Sequence, residues 1–279
     1  MKIYPCAKVN LGLNIVERRE DGYHNLETVF YPIPLYDTLE VEPIEVTSSQ
    51  TPACQFTMSG INIEGAPTDN LVMKAYRLLA EEHALPPLKI HLHKGIPSQA
   101  GMGGGSSDAA YMIRLLNDLF HLELNITDMQ EKAAKLGADC AFFIQSKPAF
   151  ARGIGDKLSV IDDEDLHLKG LFMVVVKPDI AVSTRDAFAQ ITPRQPSRCC
   201  LDIVRQPIET WKDTLTNDFE ESVFNIYPEL RHIKERLYQA GALFVQMTGS
   251  GSAIYALFRQ EPQQIADIFP NTYHQIVVL

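Results

Sequence analysis

An α+β chain of two domains is what the amino-acid sequence implies. Strand-like and helix-like stretches alternate irregularly, and some neighbouring strands read as hairpins rather than as regular βαβ units. A buried strand pattern, LFMVVV at 171–176, starts afresh just past an acidic loop at 159–163, which sets the boundary between residues 1–158 and 159–279. Each half carries one glycine-rich loop, PSQAGMGGGSSDAA from Pro97 and TGSGS from Thr248. A length of 279 residues suits two ordinary domains.

The composition is that of a globular protein, 46% hydrophobic and 22% charged. No apolar run approaches the roughly 18 residues of a membrane span. The N-terminus, MKIYPCAKVNLGLNIVERRE, is broken by polar residues at every other position, a strand pattern and not a signal peptide, so a cytoplasmic protein is expected. A net charge of −10 argues against non-specific nucleic-acid binding, and a phosphorylated ligand would need a local basic spot. The five cysteines, Cys6, Cys54, Cys140, Cys199 and Cys200, are odd in number and lack CxxC spacing, which suggests neither a disulfide framework nor a zinc site.

In chain order, residues 3–16 alternate: Val9, Leu11, Leu13 and Ile15 share one strand face, and Lys8, Asn10, Gly12 and Asn14 the other. The polar face is either a solvated sheet surface or the floor of a polar substrate site. Asp21-Gly22 signals a hairpin turn before a return strand at 26–33. Tyr23 and His24, just past that turn, are ordinary surface or a lid that recognises a base. Strands and a loose polar loop at 47–52 follow. A helix is expected from Thr68 to about Glu82 with Leu71, Ala75, Leu78 and Leu79 on one side, then a strand at 88–93 whose His91 and His93 read as structural.

The loop GMGGGSSDAA then runs into a helix ending near Phe120. Glycines admit positive φ and close backbone approach, Ser106 or Ser107 can cap the helix, and Asp108 suits its first turn. Free amides at a helix start make an anion site, so a phosphate cradle is the reading set against a plain capped loop. A GxxxxGKS/T loop is absent, and the pattern of a dinucleotide fold is not met. A capping box at Thr127 to Gln130 opens a helix stopped near Gly137. Asp139 follows, either a turn or cap residue or a partly desolvated acid facing a cleft. AFARGIGD reads as a strand and glycine turn. In the second half, Ser183 caps a short helix carrying Phe188, residues 192–208 form a long loop, and helices are expected at 211–224 and 228–239. Strands at 243–247 and 253–258 flank the TGSGS loop, a plain hairpin or part of the site.

AKVNLGLNIVERREDGYHNLET, PSQAGMGGGSSDAA, GADCAFF, ARGIGD, NDFE and MTGSGSAIYALF together resemble the GHMP kinase superfamily over residues 6 to about 258. The DGYH stretch is similar to that of a branch acting on a small-molecule cytidine diphosphate substrate in non-mevalonate isoprenoid synthesis. The resemblance implies a two-domain fold with the active site in the cleft between domains, and an ATP-dependent kinase with Mg²⁺ accompanying ATP. It implies Lys8 and Asp139 as the catalytic pair. Gly101, Gly103, Gly104, Gly105, Ser106 and Ser107, with Pro97 at the head of the loop, would hold the ATP phosphates, and Asn70 and Lys94 would lie near the adenine. Asn10, Tyr23 and His24 would contact substrate, with Tyr23 and Phe188 stacking on the base; Gly249, Ser250 and Gly251 would close on the phosphate end. Metal ligands are unnamed, Ser106 or Ser107 being candidates. Met102 stands where leucine is commoner, and Cys140-Ala141 where valine-proline is usual. Competing readings are another GHMP kinase, of the mevalonate pathway or of sugars, and a non-catalytic nucleotide sensor.

Overall fold

The structure, a computed structural model, describes residues 1–45, 54–63 and 65–279, so the polar loop expected at 47–52 lies outside the described residues. Two units emerge, each discontinuous in sequence. Met1–Ala7, Leu35–Ser98 and Gly103–Ser146 form the first; Lys8–Pro34, Gln99–Met102 and Lys147–Leu279 form the second. A single cut at 158/159 does not reproduce this division, because ladder bonds such as Thr28 with Ala151 join the early hairpin to the chain after residue 147. Composition registers local change and not such distant pairing.

The first unit holds a sheet of β1 (Lys2–Ile3), β4 (Thr38–Pro43), β6 (Leu88–Lys94) and β5 (Cys54–Gly60), in that order. Only β5 and β6 run parallel among these pairs. Alternation does its usual work: Leu39, Val41, Leu88, Ile90 and Leu92 are buried on one face. On the other, His91 bonds Thr57 and Ser59 hydroxyls at 2.8 and 2.9 Å. The helices are α1 (Leu71–Ala80), α2 (Gly104–Phe120), α3 (Ile126–Ala134) and α4 (Cys140–Gln145); α1, α3 and α4 all pack on α2. Asn70 caps α1 by accepting from Val72 N, and the buried side runs through Val72, Met73, Ala75, Tyr76 and Leu79. Leu71 and Leu78, expected on that side, lie at its margin. The capping box of α3 belongs to Asn125 and Asp128, two residues before the Thr127 reading.

The second unit takes in β2 (Cys6–Arg18) from Lys8 and β3 (His24–Tyr36) to Pro34, which make one sheet with β7 (Ala149–Arg152) and β8 (Lys157–Val160). β10 (Phe244–Met247), β11 (Ile254–Phe258), β9 (Phe172–Lys177) and β12 (Tyr273–Val278) make an antiparallel second. The helices here are α5 (Thr184–Ala189), α6 (Cys200–Val204), α7 (Phe219–Ile226), α8 (Pro228–Gln239) and α9 (Ile265–Ile268). Ser183 caps α5, and Pro228 opens α8 at its first position, as their sequence patterns require. The stretch expected as loop contains α6. The helix expected from Trp211 begins only at Phe219: Asp218 is held by the backbone of β2, accepting from Ile15 N at 2.8 Å, and a side chain so engaged competes with helix propagation. Leu13 and Ile15 enter one apolar core with Val174, Val176, Val245, Ile254, Phe219 and Leu237. Strand β2 is therefore covered on both faces, and the solvated-surface reading of its polar side falls: Lys8, Asn10 and Asn14 are 3%, 2% and 6% exposed.

Candidate active site

The glycine loop turns through three left-handed residues, Gln99 (φ 50°), Gly101 (φ 71°) and Gly103 (φ 69°). Gly101 has no substitute. A Cβ there would lie 2.0 Å from the Thr248 carbonyl oxygen, against a backbone atom that cannot rotate away. The second glycine loop holds the first: Ser252 N donates to Gln99 O and Ala253 N to Ala100 O, each at 3.3 Å, and Thr248 Oγ1 donates to Gly101 O at 3.1 Å. Gly249 is packed 3.2 Å from Gly101 as measured from its ideal Cβ position. The TGSGS loop is thus more than a hairpin turn.

Gly103, and neither Ser106 nor Ser107, is the N-cap of α2; it takes the left-handed conformation that frees the cap from any side chain. Ser107 N makes a helical bond to Gly103 O at 2.8 Å, so the amides of Gly104, Gly105 and Ser106 have no carbonyl one turn behind them. Three amides at the head of a 17-residue helix are suited to an anion. Ser106 is half-exposed, whereas Ser107 is fully buried and its hydroxyl has no partner among the described residues. Pro97 is buried in the stretch leading into this turn.

Lys94 ends β6 and turns inward. Its ammonium is paired with Asp37 and, at 2.6 Å, with Asp108, all three being buried. Burial works to lower its pKa, but the two carboxylates prevail and raise it. Its charge is therefore committed within the protein. Burial pushes Asp108 well above the ordinary carboxylate range, against the pull of Lys94. Asn70, besides capping α1, points its amide nitrogen at Met58 Sδ, 3.5 Å away.

Asp139 stands at the N-cap position of α4, half-buried, but its side chain makes no capping bond to that helix. The cap reading is excluded. Cys140, next to it, is pushed up to about 11 by burial, the Ser106 hydrogen bond opposing and Asp139 reinforcing.

The polar face of β2 is a closed hydrogen-bond network in the second unit. Lys8 Nζ donates to Asn10 Oδ1 at 2.6 Å and lies 5.0 Å from the centre of the Phe30 ring. Asn10 Nδ2 donates to Thr28 Oγ1 (2.9 Å), which in turn donates to Gly12 O (2.5 Å). Thr248 Oγ1 accepts from Asn10 N at 3.1 Å and also approaches Asn10 Oδ1 at 3.2 Å. Gln246 Oε1 accepts from Gly12 N, and Tyr255 OH donates to Asn10 O at 3.0 Å. The side chain of Asn10, expected to contact substrate, is thus engaged at both its oxygen, by Lys8, and its nitrogen, by Thr28. Asn217, missed as a site residue although NDFE marks its neighbourhood, donates to Met247 O (2.7 Å) and Gly249 O (2.8 Å) and so carries the second glycine loop. Ser250 and Gly251 continue that loop.

Tyr23 is 62% exposed, its backbone tied to Asp21 Oδ1. His24 stacks on Phe188, with ring centres 4.8 Å apart and planes at 21°; Phe188 meets Phe219 edge-on. Burial and then Arg18 lower the pKa of His24, favouring the neutral imidazole. Of the two residues paired by resemblance, Lys8 belongs to the second unit and Asp139 to the first.

Comparison with known proteins adds names to this arrangement. Residues 70–147 match the GHMP kinases N terminal domain and residues 202–275 the GHMP kinases C terminal domain. Proteins named 4-diphosphocytidyl-2-C-methyl-D-erythritol kinase from Bacteroides fragilis and Bacteroides thetaiotaomicron are 53% and 50% identical to this chain over 261 residues, covering 94% of it and 93% of each relative. A crystal structure of 4-(cytidine 5'-diphospho)-2C-methyl-D-erythritol kinase superposes with a TM-score of 0.82 at 31% identity, over 100% of both chains. The mevalonate kinase of Methanococcus jannaschii, at 14% identity, shares the fold with a TM-score of 0.72 over 100% of this chain and 98% of that one.

Proposed function

The chain belongs to the GHMP kinases, in the group of 4-diphosphocytidyl-2-C-methyl-D-erythritol kinases, and we propose on that premise that it transfers the γ-phosphoryl group of ATP to the 2-hydroxyl of that cytidine diphosphate substrate. The observation that carries the chemistry is the left-handed turn at Gly101 and Gly103, locked by Thr248 and opening on the unpaired amides of a long helix.

Phosphoryl transfer asks a protein for positioning and charge stabilisation more than for covalent work. In the proposed reaction the amides of Gly104, Gly105 and Ser106 hold the β- and γ-phosphates. The 2-hydroxyl oxygen bonds to the γ-phosphorus, the bond from that phosphorus to the β–γ bridging oxygen breaks, and ADP leaves with the electron pair. The hydroxyl proton goes to Asp139. Lys8, kept in place by Asn10, offsets negative charge on the group in transit. Asn70 and Pro97 are assigned to the nucleotide side, and Gly249, Ser250 and Gly251 to the phosphate end. Ser106, half-exposed, is a hard oxygen donor that fits Mg²⁺, whereas the sequestered Ser107 hydroxyl does not. When bound with ATP, Mg²⁺ would neutralise phosphate charge. All five cysteines are free thiols, in keeping with a reducing, cytoplasmic setting.

Steady-state ADP release with 4-diphosphocytidyl-2-C-methyl-D-erythritol, against mevalonate and galactose, tests the assignment: turnover is expected with the first alone, and turnover only with mevalonate or galactose overturns it. Tyr23, exposed and outside the core, is assigned to stack on the cytosine, with His24 at its edge and Phe188 behind His24. Tyr23→Ala is expected to raise KM for the cytidine substrate about tenfold, since base–aromatic stacking contributes roughly 1–3 kcal/mol. Its kcat and thermal midpoint should stay close to wild type. A fall in kcat with unchanged KM would move Tyr23 from binding to chemistry.

A further inference from the structure

The first turn of α2 is built from Gly104, Gly105, Ser106 and Ser107, residues with little side chain to anchor it. Glycine loses more conformational freedom on ordering than any other residue, so such a turn needs an outside support. We propose that Asp108 is a positioning residue of the nucleotide site, holding this turn in its phosphate-binding shape through Lys94. The inference rests on the kinase reading and deepens it.

Three segments of the first unit meet at one ammonium. Lys94 closes β6; Asp37 stands immediately before β4; Asp108 is the fifth residue of α2. Lys94 Nζ donates to Asp108 Oδ2 at 2.6 Å and to Asp37 Oδ2. The other oxygen of Asp37 accepts from Gly95 N (2.7 Å) and Ile96 N (2.9 Å), fixing the departure of the glycine loop from the sheet. Gly104 rests directly on this cluster: a Cβ on it would lie 3.0 Å from Ile96 Cγ2 and 3.5 Å from Lys94 Nζ. The strand end and the helix start are thus tied to the same charge, one at each end of the loop. A buried ion pair is weak evidence for stability, since apolar replacement is often neutral or favourable. Its use here is to set where the amides of residues 104–106 stand, the ammonium lying 3.5 Å from where a Cβ on Gly104 would be.

The test is isothermal titration with ATP and Mg²⁺, and separately with the cytidine substrate. Asp108→Ala is expected to weaken ATP binding at least about tenfold, the order of loss a displaced binding group brings, and to leave substrate affinity within about twofold. Asp108→Asn, whose amide oxygen still accepts from Lys94, should retain ATP affinity within about threefold. A variant that loses thermal midpoint but binds ATP as wild type does would reduce Asp108 to a stabilising residue and overturn the proposal. An Asn variant as weak as the Ala variant would overturn it too, because the tether would not be what affinity reports. Should Asp108→Ala fail to fold, Lys94→Met with Asp108→Leu removes the pair while Asp37 keeps its two amides; the same loss is expected, and unaltered ATP affinity refutes the role. Wild-type protein that does not bind ATP sinks the kinase reading itself, a result separate from any of these.

Discussion

Asp139→Asn is expected to lower kcat by about 10²–10⁴-fold, the usual share of a group that accepts a proton in the transition state. The substitution is nearly isosteric and should leave the fold alone. Asp139 makes no capping bond to α4, so no helix cap is lost with its charge, and the backbone after it is anchored by the buried side chains of Cys140, Ala141, Phe142 and Phe143. ATP affinity should therefore match wild type, and the deficit should appear in kcat at saturating concentrations of both substrates. Single-turnover rates, with titration of ATP on the same samples, separate the two quantities. Turnover within about threefold of wild type would show that the hydroxyl needs no base at this position. A matching loss of ATP affinity would instead assign Asp139 to the nucleotide.

Gly101→Ala should be the most damaging single-methyl change in the chain. Two effects combine. A non-glycine residue at φ 71° costs about 1–2 kcal/mol. The added carbon would also sit 2.0 Å from Thr248 O, while Thr248 N is itself bonded to Ala253 O at 3.0 Å. One of the two loops must move. Because Thr248 also bonds Asn10, and Asn10 holds Lys8, the displacement passes from the glycine turn to Lys8. kcat/KM for ATP is expected to drop by roughly 10²-fold, the order that a displacement of about 1 Å brings. Gly170→Ala provides the comparison: its φ is 83°, but no atom lies within 4 Å of the added carbon, so it carries backbone strain without a clash. It should lower the thermal midpoint modestly and leave activity intact. Equal behaviour of the two variants would mean that the contact with Thr248 is not what makes Gly101 necessary.

These cases mark what a sequence discloses and what it withholds. Glycines at 101 and 103 were legible because only glycine takes such turns freely, and the cap at Ser183 because short polar side chains favour the positions where helices begin. Alternation along β2 identified its strand and its two faces. The fate of the polar face was not legible, since it is decided by Gln246, Thr248 and Tyr255, more than 200 positions away. The same holds for Lys94, whose pairing with Asp37, 57 positions earlier, no local pattern shows. Stacking of His24 on Phe188 and the support of Gly249 by Asn217 likewise depend on tertiary neighbours that no local pattern announces.

The saturation of Asn10 also bears on how this protein can change over evolutionary time. Its side chain and those of Thr28, Gln246 and Thr248 form one interlocking set in which nearly every donor faces an acceptor. Mutational drift at any single member would strand a dipole in a dry interior, so the four should be inherited together or exchanged together. Directed evolution toward a new acceptor alcohol would accordingly do better to begin at the exposed Tyr23 than on the strand that carries the lysine.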